Sequence, residues 1–220
     1  HESDYTLDIV RAFGINETAS PLPLIPVLRH ETLDISKILK KNGVSDGETI
    51  IAVHPGASCV SKKWPIDRFA LLGKKLMAET AHRLVVIGGA EEAVLGEYLK
   101  REWGDRGIDL TGQLDLKALT AFFKRSTLLV SNDSGPIHLA AAVGTRTFGI
   151  FGRNEAGLST MRWRALGEGH RIIQKDVGCV LCLAHRCTIG FECLKAVEVG
   201  EVFEKVKEML PIEARTPDGV

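Results

Sequence analysis

From residue 49 onward the chain repeats one unit: a short apolar run, a polar turn, then a stretch with helical spacing. "TIIAVHPG", "RLVVIGG", "IDLTG", "TLLVSND" and "RTFGIFG" read as strands, and "RIIQK" as one more. Between them, "PIDRFALLGKKLMAET", "EEAVLGEYLKREWG", "LDLKALTAFFKRS" and "GPIHLAAAVGT" carry apolar residues at helical intervals. Strands that are apolar throughout, not at every second position, are covered on both faces, which is the signature of a parallel sheet between two helix layers. Right-handed crossovers then give an α/β, Rossmann-like, doubly wound layout. The 220 residues are enough for one such domain with appendages.

The flanks differ from this rhythm. Residues 5–13, "YTLDIVRAF", predict a helix that Gly14 stops. "SPLPLIPVL", 20–28, holds too many prolines for a helix interior or a central strand and reads as an extended connector. "DISKILKKNG" predicts a short helix closed by Gly43, and "VEVGEVFEKVKEML" an amphipathic one near the other end. The expected division is 1–44 as linker and helices, and 45–220 as a Rossmann-like domain with a Cys-rich loop at 176–197 and a C-terminal helix.

Lys and Arg number 28 against 28 Asp and Glu, a balance that argues against nucleic acid as a partner and against a charged tail. No apolar run approaches the roughly 20 residues of a spanning helix. The start, "HESDYTLDIVRAFG", lacks both signal-peptide character and an initiator Met, so a piece of a longer cytoplasmic protein is expected.

Open parallel sheets bind ligands beyond the carboxyl ends of their strands. Three polar segments fall there: 54–63, 88–92 and 131–138. In "SNDSGPIH", Pro136 sits where a helix begins, Gly135 permits close approach to the backbone, and the first-turn amides suit an anion. His138 lies in the same turn. A plain helix capped by Asp133 or Ser134 fits these residues equally well. In "HPGASCVSKKWP", Ser58, Ser61, Lys62 and Lys63 suit a diphosphate, or form a solvated loop. In "GGAEE", Glu91 or Glu92 suits a ribose, or simply favours a helix start. Neither a G-x-G-x-x-G nor a Walker sequence occurs, which weighs against an NAD enzyme or a P-loop ATPase.

"CVLCLAHRCTIGFEC" spaces Cys179, Cys182, Cys187 and Cys193 as C-x2-C-x4-C-x5-C. Four soft ligands so close suit a structural zinc or an iron–sulfur cluster, and equally disulfides or thiols that pack a loop. Cys59 has no evident base partner and reads as a small filler.

Taken together, "HPGAS…KKWP", "GG…E" and "NDSGPIHLAAAVGTRTFGIFG" resemble the carboxyl-terminal half of the heptosyltransferase family, glycosyltransferase family 9. The resemblance runs from about residue 45 to 210, and more loosely over "HESDYTLDIVRAFGI", which looks like the linker before a second domain. It implies the GT-B architecture, two Rossmann-like domains facing a cleft, the second holding the nucleotide-sugar. It also implies transfer of a heptose from ADP-heptose to the inner core of lipopolysaccharide, with no cofactor required.

Residue by residue, the resemblance gives Lys62 the donor diphosphate and stabilisation of the leaving group, and Ser58 a hydroxyl contact. Glu92, with Glu91 as rival, would hold the ribose. Asp133, Ser134, Gly135 and His138 would grip the diphosphate and sugar end. The family's acidic base belongs to an N-terminal domain, and nothing before residue 45 supplies one. The chain alone is therefore expected to bind an ADP-sugar weakly and not to transfer. Its expected partners are the ADP-sugar, a lipid-linked oligosaccharide acceptor, that N-terminal domain and, peripherally, the inner face of the bacterial inner membrane. Two other functions remain open here: a sugar-nucleotide epimerase of the same architecture, and a non-catalytic nucleotide-sugar or phosphate-binding module.

Overall fold

The computed structural model describes residues 1–16, 22–155, 157–179, 182 and 184–211. The first two residues of the connector expected at 20–28, three residues of the Cys-rich loop and the tail after 211 lie outside the described residues.

Six strands form one parallel sheet: β1 (Ile50–His54), β2 (Arg83–Val86), β3 (Gly107–Asp109), β4 (Leu128–Asn132), β5 (Arg146–Phe151) and β6 (Arg171–Gln174). Their order across the sheet is β3-β2-β1-β4-β5-β6, so the direction of winding reverses between β1 and β4. Each predicted strand forms, and every neighbouring pair is parallel. His54 faces Ser131 across the β1–β4 seam, which brings the polar ends of these two strands side by side.

Successive side chains of a strand point to opposite faces, and both faces here are dry. Ile51, Val53, Leu84, Val86, Leu128 and Val130 pack into one core; Ile50, Ala52, Val85, Ile87 and Leu129 pack into the other. The first core is covered by α3 (Ile66–Glu79), α4 (Ala93–Trp103) and α9 (Val199–Lys207). The second is covered by α2 (Arg29–Lys41), α5 (Leu116–Arg125) and α6 (Gly135–Ala142). Burying apolar area at about 25 cal/mol per Å² on two faces is what makes a sheet without alternation stable.

Close packing of α3 on α4 depends on Gly73. A Cβ there would stand 2.2 Å from Trp103 Nε1, which donates a 3.0 Å hydrogen bond to the Ala70 carbonyl. At the start of the chain, α1 (Glu2–Ala12) buries no residue and leaves Tyr5, Ile9 and Phe13 exposed along one side. Two single-turn helices, α7 (Thr160–Trp163) and α8 (Glu192–Lys195), complete the order. Among the described residues no helix is long and apolar enough to cross a membrane.

Candidate functional site

The loop after β1 is fastened to β4 by one side chain. Asn132 accepts a 3.0 Å bond from the Trp64 amide through Oδ1 and donates a 2.7 Å bond to the Pro55 carbonyl through Nδ2. Trp64 is fully buried, with its indole N–H on the Val197 carbonyl at 3.0 Å. Both ends of the loop are thereby fixed, and the 3-10 turn Val60–Lys62 holds Lys62 over the end of β4.

There Lys62 Nζ lies 3.4 Å from Asp133 Oδ2, and Arg153 reaches the same oxygen at 2.8 Å. Asp133 and Arg153 are 5% and 7% exposed. A carboxylate removed from water needs such partners. Two cations against one anion leave this corner with a formal excess of one positive charge. Asp133 is thus occupied by an ion pair and does not cap the helix. Arg153 lies just past β5, and its Nε is buried without a hydrogen-bond partner. Its role is not legible in the sequence, where a cation after a buried strand is the one available signal.

The helix start in "SNDSGPIH" has the geometry of an anion site. Ser134 occupies the N-cap position of α6, but its hydroxyl makes no bond to the first-turn amides. It points back instead, 3.0 Å from His54 Nδ1 and 3.1 Å from Ser131 Oγ. Pro136 removes an amide that would otherwise need a partner. A Cβ on Gly135 would meet nothing within 4 Å, so a ligand can come close to the backbone. In this first turn Pro136 has no amide and the Ile137 amide donates to the Ser134 carbonyl at 3.2 Å, which leaves the Gly135 amide and the positive end of the helix dipole to attract negative charge.

The two candidate carboxylates of "GGAEE" separate. Glu91 is exposed, whereas Glu92 turns into the strand ends. Glu92 Oε2 lies 3.2 Å from His54 Nε2 and accepts a 2.9 Å bond from the Gly89 amide. The hydrogen bond from His54 holds the Glu92 carboxyl below its ordinary range, against the opposing effect of burial. The carboxylate lies flat on glycines. A Cβ on Gly56 would fall 1.3 Å from Oε1, and one on Gly88 would fall 2.5 Å from Oε2. Gly56 of "HPG" and Gly88 of "GG" therefore leave room for Glu92, whereas a Cβ on Gly89 would meet Glu91.

Beside Glu92 opens a cavity of about 200 Å³, lined by Ile87, Leu110, Leu114, Leu119 and Pro136, with His54 at its edge. His138 is half-buried in α6. Burial lowers its imidazole pKa, Asp133 opposes that shift, and Lys62 adds to it. Ser58 is exposed on the loop. Lys62, Asp133, Ser134 and His138 thus stand together around the α6 start. Glu92 joins them through His54, while Ser58 and Glu91 face solvent.

All four cysteines of the C-x2-C-x4-C-x5-C run line a cavity of about 280 Å³, which Ser61 and Arg153 also border. All are free thiols, as is Cys59. The Phe191 amide donates to Cys187 Sγ at 3.1 Å. Burial raises the Cys193 thiol pKa, and the other three sulfurs add to the effect. Among the described residues, no group of three or more His, Cys, Asp or Glu side chains is arranged to hold a metal ion.

Comparison with known proteins identifies a family and a fold. The family model described as glycosyltransferase family 9 (heptosyltransferase) matches residues 16–191. The chain is 28% identical over 171 residues to lipooligosaccharide heptosyltransferase 2 of Campylobacter jejuni, covering 75% of this chain and 52% of that one. A family 9 glycosyltransferase from Veillonella parvula superposes with a TM-score of 0.82 at 18% identity, over 95% of this chain and 59% of that one. The ADP-heptose lipopolysaccharide heptosyltransferase II of Escherichia coli gives 0.70 at 20% identity, over 88% and 55%. The likeness to these two structures is one of fold. The chain spans about half the length of the curated relative and of both structures.

Proposed function

The chain belongs to glycosyltransferase family 9, and from that membership we propose that it is the donor-binding half of an enzyme transferring a heptose from ADP-heptose to the inner core of lipopolysaccharide. The observation that carries the proposal is the start of α6, uncapped by any side chain, with Lys62 held beside it. Departure of a nucleoside diphosphate develops negative charge on its terminal phosphate. A fixed amide at the helix end and a fixed cation, already in place, stabilise that charge without reorganisation.

The other groups fall in the order in which an ADP-sugar would present its parts. The apolar cavity at Ile87, Leu110 and Pro136 accepts the adenine, and Glu92 Oε1 accepts from the ribose hydroxyls. Lys62 and the Gly135 amide, at the positive end of α6, take the diphosphate, with Asp133, Ser134 and His138 toward the sugar. The base that deprotonates the acceptor hydroxyl comes from the other half of the enzyme, and the lipid-linked acceptor brings the assembled protein to the cytoplasmic face of the membrane. The proposed step uses side chains and backbone amides alone.

Calorimetry with ADP, UDP and inorganic phosphate tests the proposal on this chain. ADP is expected to bind more tightly than UDP, and phosphate only weakly. Preference for UDP would point to a sugar-nucleotide epimerase, and phosphate binding as tight as ADP binding would point to a simple phosphate module.

A further inference from the structure

We propose that His54 is the positioning residue of the donor site, one imidazole that aligns the ribose-facing carboxylate and the diphosphate-facing helix start together. The inference rests on the reading that this site binds a nucleoside diphosphate. His54 ends β1, the strand at which the winding of the sheet reverses, and is 5% exposed. Its Nε2 lies 3.2 Å from Glu92 Oε2, beyond β2. Its Nδ1 lies 3.0 Å from Ser134 Oγ, beyond β4, and 3.3 Å from Ser131 Oγ, within β4. The two edges of the ring therefore touch the two sides of the site.

The chemistry of the partners sets the proton. An ionised carboxylate only accepts, so Nε2 carries the hydrogen and donates to Glu92. When the ring is neutral, Nδ1 is left as the acceptor facing the Ser134 and Ser131 hydroxyls, and the Ser134 hydroxyl also reaches the Asn132 carbonyl at 3.1 Å. Each bond has a consequence for the ligand. On the Glu92 side, Oε2 is taken by His54 and the Gly89 amide, which leaves Oε1 for a ribose hydroxyl. On the Ser134 side, His54 together with the Asn132 carbonyl holds the hydroxyl away from the Gly135 amide, which stays open for phosphate. A histidine that merely filled the core would need neither partner to face a ligand.

The two contacts separate by substitution. In H54Q the amide nitrogen stands near the former Nε2 and still donates to Glu92. In H54N the amide oxygen stands near the former Nδ1 and still accepts from Ser134. Adenosine, pyrophosphate and ADP are titrated into this chain and each variant, followed by NMR. H54Q is expected to keep adenosine affinity and to weaken pyrophosphate about tenfold, the factor for one hydrogen bond of roughly 1.4 kcal/mol. H54N should do the reverse, and H54A should weaken both. Equal losses for both ligands in H54Q and H54N, or no loss in any variant, would overturn the proposal.

A second measurement needs no ligand and no change at His54. In the unsubstituted chain, imidazole nitrogen shifts should show hydrogen on Nε2 and not on Nδ1. E92Q should then move mainly the Nε2 signal, and S134A mainly the Nδ1 signal. Unmoved signals in both variants would reject the shared ring even where H54Q and H54N fail to fold. If the unsubstituted chain bound neither adenosine nor pyrophosphate while these shifts behaved as expected, the donor-site reading would fall and the His54 bridge would stand.

Discussion

Arg153 and Asp133 form a buried ion pair, 2.8 Å apart, at the end of β5 and just beyond β4. Lys62 approaches the same carboxylate oxygen from the loop after β1. Three strand ends thus meet at one carboxylate, and the pair is structural before it is functional. Removing one partner of a buried pair leaves a charge without compensation.

Arg153→Met is expected to destabilise the chain by about 3 kcal/mol, near the low end of such losses because Lys62 remains beside Asp133. Urea unfolding reads this directly. A change under about 1 kcal/mol would mean that Lys62 alone neutralises the carboxylate.

Lys62→Ala should act on the ligand more than on the fold. Loss of a charge-assisted contact is expected to weaken ADP binding by about 1–3 kcal/mol. Adenosine, which has no phosphate, should bind as before. Calorimetry with the two ligands checks this, and unchanged ADP affinity would reject the role.

Gly56→Ala tests the seat of Glu92. The atom that the new Cβ would meet is the far end of a flexible side chain, so the carboxylate should swing away at little cost to stability. Adenosine affinity should fall about as far as in Glu92→Ala, and the two substitutions together should cost little more than either alone. Gly73→Ala is the contrast. Its Cβ meets the Trp103 ring, which is buried and hydrogen-bonded, and about 1–3 kcal/mol of stability should be lost through overpacking.

His138 and His170 give the fold a dependence on mild acid. Burial lowers both imidazole pKa values from the ordinary 6.5. A group whose pKa is lower folded than unfolded contributes stability that is present above the unfolded value and is lost as pH falls through the folded one. Melting temperature should therefore decline as pH drops below about 6.5, and His138→Gln with His170→Gln should flatten that slope between pH 7.5 and 5. An unaltered slope in the double variant would place the sensitivity elsewhere.

Cys193 should be the protected thiol of its loop. Burial and three nearby sulfurs raise its pKa above the ordinary 9.0, and the thiolate is the reactive form. Iodoacetamide at pH 8, read by peptide mass spectrometry, should label Cys193 much more slowly in native than in urea-unfolded chain. Equal rates would remove the argument.

The layered sheet was legible because each strand repeats one physical signal, apolar residues on both faces, and the structure assigns them to two separate cores. The start of α6 was legible as a helix start from Gly135 and Pro136, but local sequence left open whether Asp133 or Ser134 caps it, and in the fold neither side chain does. What local sequence does not carry is partnership across the sheet. Asp133 meets Arg153 from a different strand end, and Asn132 reaches back to Pro55 and Trp64. Choosing between Glu91 and Glu92 required knowing which of them faces the glycine floor beyond β1. His54 was visible only as the last residue of a strand, because both of its partners lie far away in sequence.

The strand order has one further consequence. On the proposed reading, base and ribose face the segments leaving β2 and β3 together with Pro136, and the diphosphate faces those leaving β1 and β4, so β1 lies between the two flanks. Substitutions altering the choice of nucleoside are then expected to fall largely on one flank, and those altering the choice of sugar on the other. β1 is the hinge of that independence, because a change at its last residue would have to suit both flanks at once.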